Sequence, residues 1–215
     1  MTPVATYILL TESLASGVCD SFDGHVLACL IAVGVAEASA GSSLAEALGV
    51  SGDELRRSIA AYFPAALHHL ESSDLDREVK VGDEEQCLRR LLQRSRSTPG
   101  PFSLMLSAMV ARRCTRPNHL WQDLGLANRG ELSALMSRHF APLARRNHQD
   151  MKWKKFFYRM ICSDESYRLC VAPSCAECRD FDACFGDESG ESLLARIRFQ
   201  MDVPGLDSHR TLRVD

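Results

Sequence analysis

Residues 26–37 read Val-Leu-Ala-Cys-Leu-Ile-Ala-Val-Gly-Val-Ala-Glu, and this stretch decides the fold class. Its first eleven residues, Val26 to Ala36, are uncharged and mostly apolar, and they lack the strict alternation of a half-buried strand. The stretch is long for a strand and well short of the about 20 residues that cross a bilayer. We therefore predict a helix buried in the protein core and not a membrane span.

A similar pattern recurs later in the chain. Ser43-Leu-Ala-Glu-Ala-Leu-Gly-Val50 aligns with His119-Leu-Trp-Gln-Asp-Leu-Gly-Leu126, 76 residues further on, and Val26–Glu37 aligns with Phe102–Arg113. Internal similarity indicates repeated architecture, although two helices joined by Leu-Gly can also match by chance. We interpret the pattern as a degenerate duplication of a three-helix unit, with pseudo-repeats at about 26–67 and 102–144.

No segment has a convincing strand pattern, so the predicted fold class is all-α. We expect residues 1–161 to form the helical domain that contains both three-helix units. Residues 162–186 are predicted to form a C-terminal cysteine-rich metal-binding loop. Residues 187–215 are predicted to be a flexible tail.

The charge balance bears on the class of partner. Lys and Arg number 25 against 28 Asp and Glu, which gives a net charge of −3, whereas a generic nucleic-acid binder is expected to be basic. A helix-turn-helix-like segment at 44–57 carries Arg56 and Arg57, but it also fits a helical hairpin used for packing. The N-terminus lacks the basic region and long apolar core of a secretory signal. We therefore expect a cytoplasmic protein without nucleic acid or membrane partners.

The cysteines carry the strongest chemical signal. Nine are present, and four lie within fifteen residues in the pattern C-x4-C-x2-C-x5-C: Cys170, Cys175, Cys178 and Cys184. In a reducing compartment such thiols are more readily metal ligands than disulfides. One continuous segment resembles the compact run of bacterial ferredoxins more than the separated pairs of structural zinc sites. Because the spacing is not that of ferredoxins, zinc stays the alternative to an iron–sulfur cluster.

A lysine-rich helix is predicted just before the cysteines. The chain has only four lysines, and three lie within Met151–Lys155. Apolar side chains at helical spacing predict a buried face: Trp153, Phe156, Phe157, Met160 and Ile161. Cations occupy another face, which is either solvated or a docking surface for a partner or an oxyanion: Lys152, Lys155 and Arg159, with Lys154 at its border.

Three further residues are candidates for additional ligands. Cys162 lies eight residues before the cysteine run, and His119 could approach the cluster from the second unit. Cys114 lies among three arginines within Arg112–Arg116, whose charges could lower its pKa, although arginines also favour a helix C-terminus. The chain has no phosphate-binding loop, nucleophile elbow or metalloprotease motif, so we do not expect an enzyme.

These motifs together resemble one known family. Asn118–Leu126, Met151–Arg159 and the cysteine run closed by Phe185-Gly186 are similar to the NifQ family of nitrogen-fixation proteins. The resemblance is firmest from Arg112 to Gly186, and Asp23-Gly-His25 also fits it. It implies a molybdenum–iron–sulfur cluster carrier that donates molybdenum for biosynthesis of the nitrogenase iron–molybdenum cofactor, with molybdate as the metal source.

The resemblance also implies a site and partners. Cys170, Cys175, Cys178 and Cys184 would be the cluster ligands, and the partners would be cofactor-assembly proteins, namely a scaffold and the nitrogenase iron protein. Two alternatives come from other classes of protein. One is a metal-sensing or redox-sensing helix-turn-helix-like regulator, and the other is a zinc-stabilised interaction domain.

Overall fold

The computed structural model describes residues 2–17, 20–70 and 78–164, together with Glu188, Gly190 and Leu194. All regular structure in these residues is helical, which confirms the predicted all-α class. The helices follow in chain order as α1 (Pro3–Glu12), α2 (Ser21–Ser39), α3 (Leu44–Leu48), α4 (Gly52–Tyr62), α5 (Leu67–Leu70), α6 (Asp83–Arg94), α7 (Pro101–Cys114), α8 (Leu120–Asp123), α9 (Arg129–His139), α10 (Ala141–Arg146) and α11 (Trp153–Asp164), with a 3₁₀ turn at Pro64–Ala66.

The predicted buried helix is α2, and it lies in the core between α1 and α3. It begins five residues before Val26, because the side chain of Asp20 accepts a hydrogen bond from the Asp23 amide at 2.9 Å and so caps the helix. Among the described helices, α2 alone is long and apolar enough to cross a membrane. Since 67% of its apolar window is buried inside the protein, we interpret it as a core helix.

The two predicted units share local geometry. The short helices α3 and α8 are each followed by a glycine in the left-handed conformation, Gly49 with φ 70° and Gly125 with φ 76°. The next helices, α4 and α9, are each 11 residues long, and each is followed by a phenylalanine as its C-cap, Phe63 with φ −136° and Phe140 with φ −135°. A duplication would produce such correspondences. The duplication and its boundaries stay a prediction.

Gly125 also allows α8 to approach α2 closely. A Cβ at this position would lie 2.7 Å from Val33 Cγ2 and 3.1 Å from the carbonyl oxygen of Cys29. Together with the positive φ, this contact requires glycine. The repeated Leu-Gly pair therefore has a packing role in the second unit.

Arg113 on α7 joins both units inside the core. It is 1% exposed, and its Nη1 lies 2.7 Å from Glu37 Oε1. It also donates to the carbonyl oxygens of Asp123, at 2.6 Å, and Ala47, at 3.3 Å. The buried guanidinium is thus satisfied by acceptors on α2, α8 and α3, as a buried charge requires.

The Asp23-Gly-His25 motif links α2 to α1 and α9. His25 Nδ1 lies 2.9 Å from the Tyr7 hydroxyl oxygen, and His25 Nε2 lies 3.3 Å from Glu131 Oε2. Asp23 Oδ1 lies 2.9 Å from His139 Nε2 on α9. The contacts of His25 with Glu131 and of Asp23 with His139 join α2 to α9, and each pair of residues is more than 100 positions apart in sequence.

Candidate functional site

The predicted ligands Cys170, Cys175, Cys178 and Cys184, and the side chain of Cys162, lie outside the described residues. The structure does describe both ends of that segment: α11 ends at Asp164, and Glu188 follows Cys184 by four residues. Within the described part of the chain, no group of three His, Cys, Asp or Glu side chains is arranged to hold a metal ion.

The apolar face of α11 is buried as predicted. Trp153, Phe156 and Phe157 are each at most 4% exposed, and Met160 and Ile161 pack against the core at its border. The ring centroids of Trp153 and Phe156 are 5.8 Å apart at a near-perpendicular angle, a favourable aromatic arrangement. Tyr158 donates a hydrogen bond to Glu84, which connects α11 to α6. The helix that leads into the cysteine segment is therefore firmly packed.

The four cationic side chains at and just before α11 differ in burial and in their contacts. Lys154 Nζ donates to Asp123 Oδ2 and to the Arg116 carbonyl oxygen, both at 2.5 Å. The Asp123 side chain is 3% exposed, so the Lys154 charge neutralises a buried carboxylate and attaches α11 to α8. Lys155 is exposed, and Lys152 and Arg159 are half-buried. Docking of a partner or an oxyanion on this face stays a prediction.

Cys114 is not an activated thiol. It is 3% exposed, and burial raises its pKa to about 12. The predicted lowering by the neighbouring arginines is wrong, because their guanidinium groups pair with Glu85 and Glu37. A thiol held in its protonated form is a poor nucleophile. The role of Cys114 as an additional metal ligand stays a prediction.

His119 lies beside the C-terminal end of the cysteine segment. It precedes α8, and its Nδ1 is 3.4 Å from Glu188 Oε1. The Glu188 side chain is 5% exposed, and its other oxygen lies 2.6 Å from Arg129 Nη1. His119 therefore faces a residue close to the predicted ligands, and its role as a ligand stays a prediction.

Arg129 lies at this site although no sequence pattern predicted it as a site residue. Its Nη2 donates to Asp150 Oδ1 at 2.8 Å and to the backbone carbonyl oxygens of Asp150, at 2.8 Å, and Met151, at 3.1 Å. With its bond to Glu188, it joins the start of α11 to the end of the cysteine segment. One signal was available: a cation in the first turn of a helix is unfavourable without an anionic partner.

Comparison with known proteins gives a consistent assignment. The sequence model of the NifQ family matches residues 26–186. Protein NifQ homolog of Sinorhizobium fredii is 42% identical over 172 residues, which cover 80% of this chain and 75% of that protein. Protein NifQ of Rhodobacter capsulatus is 37% identical over 180 residues, which cover 82% of this chain and 97% of that protein.

A shorter match with higher identity is to Protein NifQ of Klebsiella pneumoniae, 54% identical over 81 residues, which cover 37% of this chain and 48% of that protein. No solved structure matches the chain. The family match spans well over half of the sequence, including most of α2, the whole of α11 and all four cysteines of the run. The chain therefore belongs to the NifQ family of nitrogen-fixation proteins.

Proposed function

We propose that this chain is a molybdenum–iron–sulfur cluster carrier that donates molybdenum for biosynthesis of the nitrogenase iron–molybdenum cofactor. The observation that carries the proposal is that the family match ends at residue 186, so it includes the whole cysteine run. A carrier of this kind acts in the cytoplasm and needs no turnover chemistry of its own. Its recipients would be a cofactor-assembly scaffold and the nitrogenase iron protein.

The donor set fits this cargo chemically. Molybdenum enters as molybdate, in which the metal has hard oxygen ligands, whereas the cofactor holds it among sulfides. Thiolates are soft ligands that suit iron–sulfur clusters. In this proposal Cys170, Cys175, Cys178 and Cys184 hold the cluster, and the protein bridges the oxygen-ligated and sulfide-ligated states of the metal.

The described residues support the proposal from both ends of the cysteine segment. On the N-terminal side, the packed aromatic face of α11 and the Lys154–Asp123 pair fix the helix that leads into the segment. On the C-terminal side, Arg129 and His119 hold Glu188. Residues on both sides of the cysteine segment thus contact the same helical domain. In this proposal the four thiols belong to a segment whose two ends are fixed.

Anaerobic metal and sulfide analysis with an absorption spectrum tests the proposal. The native protein should be brown and contain iron, sulfide and molybdenum, and Cys178→Ala should lose all three while keeping its helical circular dichroism. Cys87→Ala is the matched control, because Cys87 lies on α6, outside the run. Full iron and molybdenum in Cys178→Ala would contradict the proposal.

The same preparation separates the alternatives. A colourless protein with one zinc would identify the zinc-stabilised interaction domain. Salt-dependent DNA binding would favour the regulator, because phosphate contacts release counterions and weaken as salt rises. Absence of binding at low salt would exclude that role.

A further inference from the structure

Residues 165–187, which contain the whole cysteine run, connect opposite ends of α11. They follow directly on Asp164, the last residue of that helix. At their other end, Glu188 Oε2 lies 2.6 Å from Arg129 Nη1, and Arg129 Nη2 donates at 3.1 Å to the carbonyl oxygen of Met151, two residues before α11 begins. A helix of 12 residues is about 18 Å long. The net path of segment 165–187 therefore runs back over that distance, from the C-terminal to the N-terminal end of α11.

Two sides of α11 are covered by described residues. Its aromatic side is buried in the core. The flank with Lys154 and Tyr158 contacts α8 and α6. The outer side carries Lys152, Lys155 and Arg159, whose positions i, i+3 and i+7 place them on one face.

The outer side of α11 carries positive charge that the described carboxylates do not neutralise. Lys155 is exposed, and no described carboxylate pairs with it. Lys152 and Arg159 each have an interaction partner. Arg146, which lines a cavity together with Arg159, is exposed and has no described carboxylate partner. Asp150, the one acidic residue between 141 and 161, is already in an ion pair. This face therefore favours a negatively charged occupant.

Segment 165–187 has the opposite charge. Its five acidic and two basic residues give a net charge of −3, whereas residues 141–161 contain six basic and one acidic residue, a net charge of +5. The four thiols of the run add negative charge when they bind metal as thiolates. The chain thus places an acidic segment directly after a basic one.

We propose that segment 165–187 lies across the outer side of α11, with its carboxylates and thiols against Lys152, Lys155 and Arg159. The occupant of this face is then part of the same chain, attached at both ends of the helix and opposite to it in charge. The cations would offset the negative charge of metal-bound thiolates. The contact goes beyond the proposed function because it needs no cluster, and only its benefit for metal binding rests on that function.

Zero-length cross-linking with a carbodiimide tests the contact, because this reagent joins an amine to a carboxylate without a spacer. Full-length, metal-free protein is cross-linked at low concentration, digested and analysed by mass spectrometry. We expect cross-links from Lys152 or Lys155 to carboxylates of residues 165–187. Lys154 and Asp123, 2.5 Å apart, are the internal positive control. A variant with Lys152→Arg and Lys155→Arg keeps the charges and should lose these cross-links.

Mixing labelled and unlabelled protein separates the possible occupants of this face. Cross-links within one copy support the proposal. Cross-links found only between a labelled and an unlabelled copy identify a second copy as the occupant and overturn the proposal. It is also overturned if Lys154 is cross-linked to Asp123 while Lys152 and Lys155 do not react with the segment, a result that leaves this face to an acidic partner protein.

Charge reversal gives a second measurement on metal-free protein. Lys155→Glu should raise the alkylation rate of the four cysteines in the run about threefold, because the loss of an exposed ion pair changes the free energy only modestly. Arg57→Glu, at an exposed position on α4, is the matched control and should leave this rate unchanged. Cys29, which is 1% exposed, should stay unreactive in both variants if the fold is intact. An equal rate in Lys155→Glu and Arg57→Glu would contradict the proposal.

The two proposals fail in distinguishable ways. If anaerobic protein holds no iron, sulfide or molybdenum but the cross-links form, the proposed function fails and the contact with α11 stands. If the cluster forms and the cross-links do not, the reverse holds.

Discussion

Lys154 Nζ and Asp123 Oδ2 lie 2.5 Å apart, and this ion pair joins α11 to α8. Asn118 also donates to Asp123, through its side-chain amide at 2.9 Å. The aspartate is thus a buried anion with two donors, of which only the lysine carries charge. One of the few lysines of this chain is therefore used to hold α11 in place.

Replacement of Lys154 by Met should destabilise the protein by about 3 kcal/mol, because removal of one partner leaves the other charge buried and uncompensated. The free energy of unfolding in urea measures this loss. Lys155→Met, on the exposed side of the same helix, should change it by less than about 0.5 kcal/mol. Equal effects of the two substitutions would show that the buried pair contributes nothing specific. The double variant Lys154→Met with Asp123→Asn should recover part of the loss.

Arg113→Met should reduce the free energy of unfolding by about 3 kcal/mol. The substitution removes a 1% exposed guanidinium and leaves the carbonyl oxygens of Asp123 and Ala47 without their donor. Thermal and urea unfolding measure the loss, with Arg57→Met on the exposed side of α4 as the control. A stable Arg113→Met variant would mean that the core closes around the methionine without needing the polar contacts.

Stability should fall above pH 9 because of Cys114. Burial raises the pKa of this thiol to about 12 from 9.0, so the folded state keeps a proton that the unfolded state releases. The stabilisation is fully present below pH 9 and decreases by about 1.4 kcal/mol per pH unit as the pH rises toward 12. Urea unfolding at pH 8, 9 and 10 should show this slope. Cys114→Ala should start lower but show a shallower slope, and an unchanged slope would assign the effect to other groups.

Arg129→Gln should accelerate loss of iron from the anaerobic protein to a chelator by about tenfold, a magnitude typical of residues that position metal ligands. The reason is that Arg129 holds Glu188, next to the cysteine run, and also the start of α11. Glu188→Gln should have a similar effect, whereas Arg138→Gln, on the other end of α9, should not. Iron retention equal to that of the native protein in Arg129→Gln would separate this arginine from the metal site.

Most of the helices could be predicted because residues next to their boundaries cap or end them. Ser43 and Glu46 form a reciprocal capping box at α3, Ser51 caps α4, and Gly49 ends α3 in the left-handed conformation. Three of the described helices were not predicted, namely α1, α5 and α10. The apolar residues of α1 do not fall on one face, and its position depends on packing against α2. The helices α5 and α10 have only four and six residues, too few to show a helical period.

The site residues were harder to predict, because their partners are distant in sequence. The arginines around Cys114 are its neighbours along the chain, but Arg113 and Arg116 reach Glu37, more than 70 residues away. Periodicity placed Lys154 at the border of a cationic face, and only the fold shows that Asp123 lies beneath it. Arg129 has partners on both sides of the cysteine segment, and no local pattern specifies such a pair.

The ion pair between Arg129 and Glu188 has a consequence for chain entropy. Twenty-three residues, 165–187, separate the end of α11 from Glu188. Bringing together the ends of a chain segment of this length costs about 3 kcal/mol from the logarithmic length term of loop closure. Because the helical domain holds both ends, this entropic cost is already part of the free energy of folding. It therefore does not reduce the free energy of metal binding. If the four cysteines bind a cluster as proposed, a contact outside the ligand set therefore raises their affinity for it.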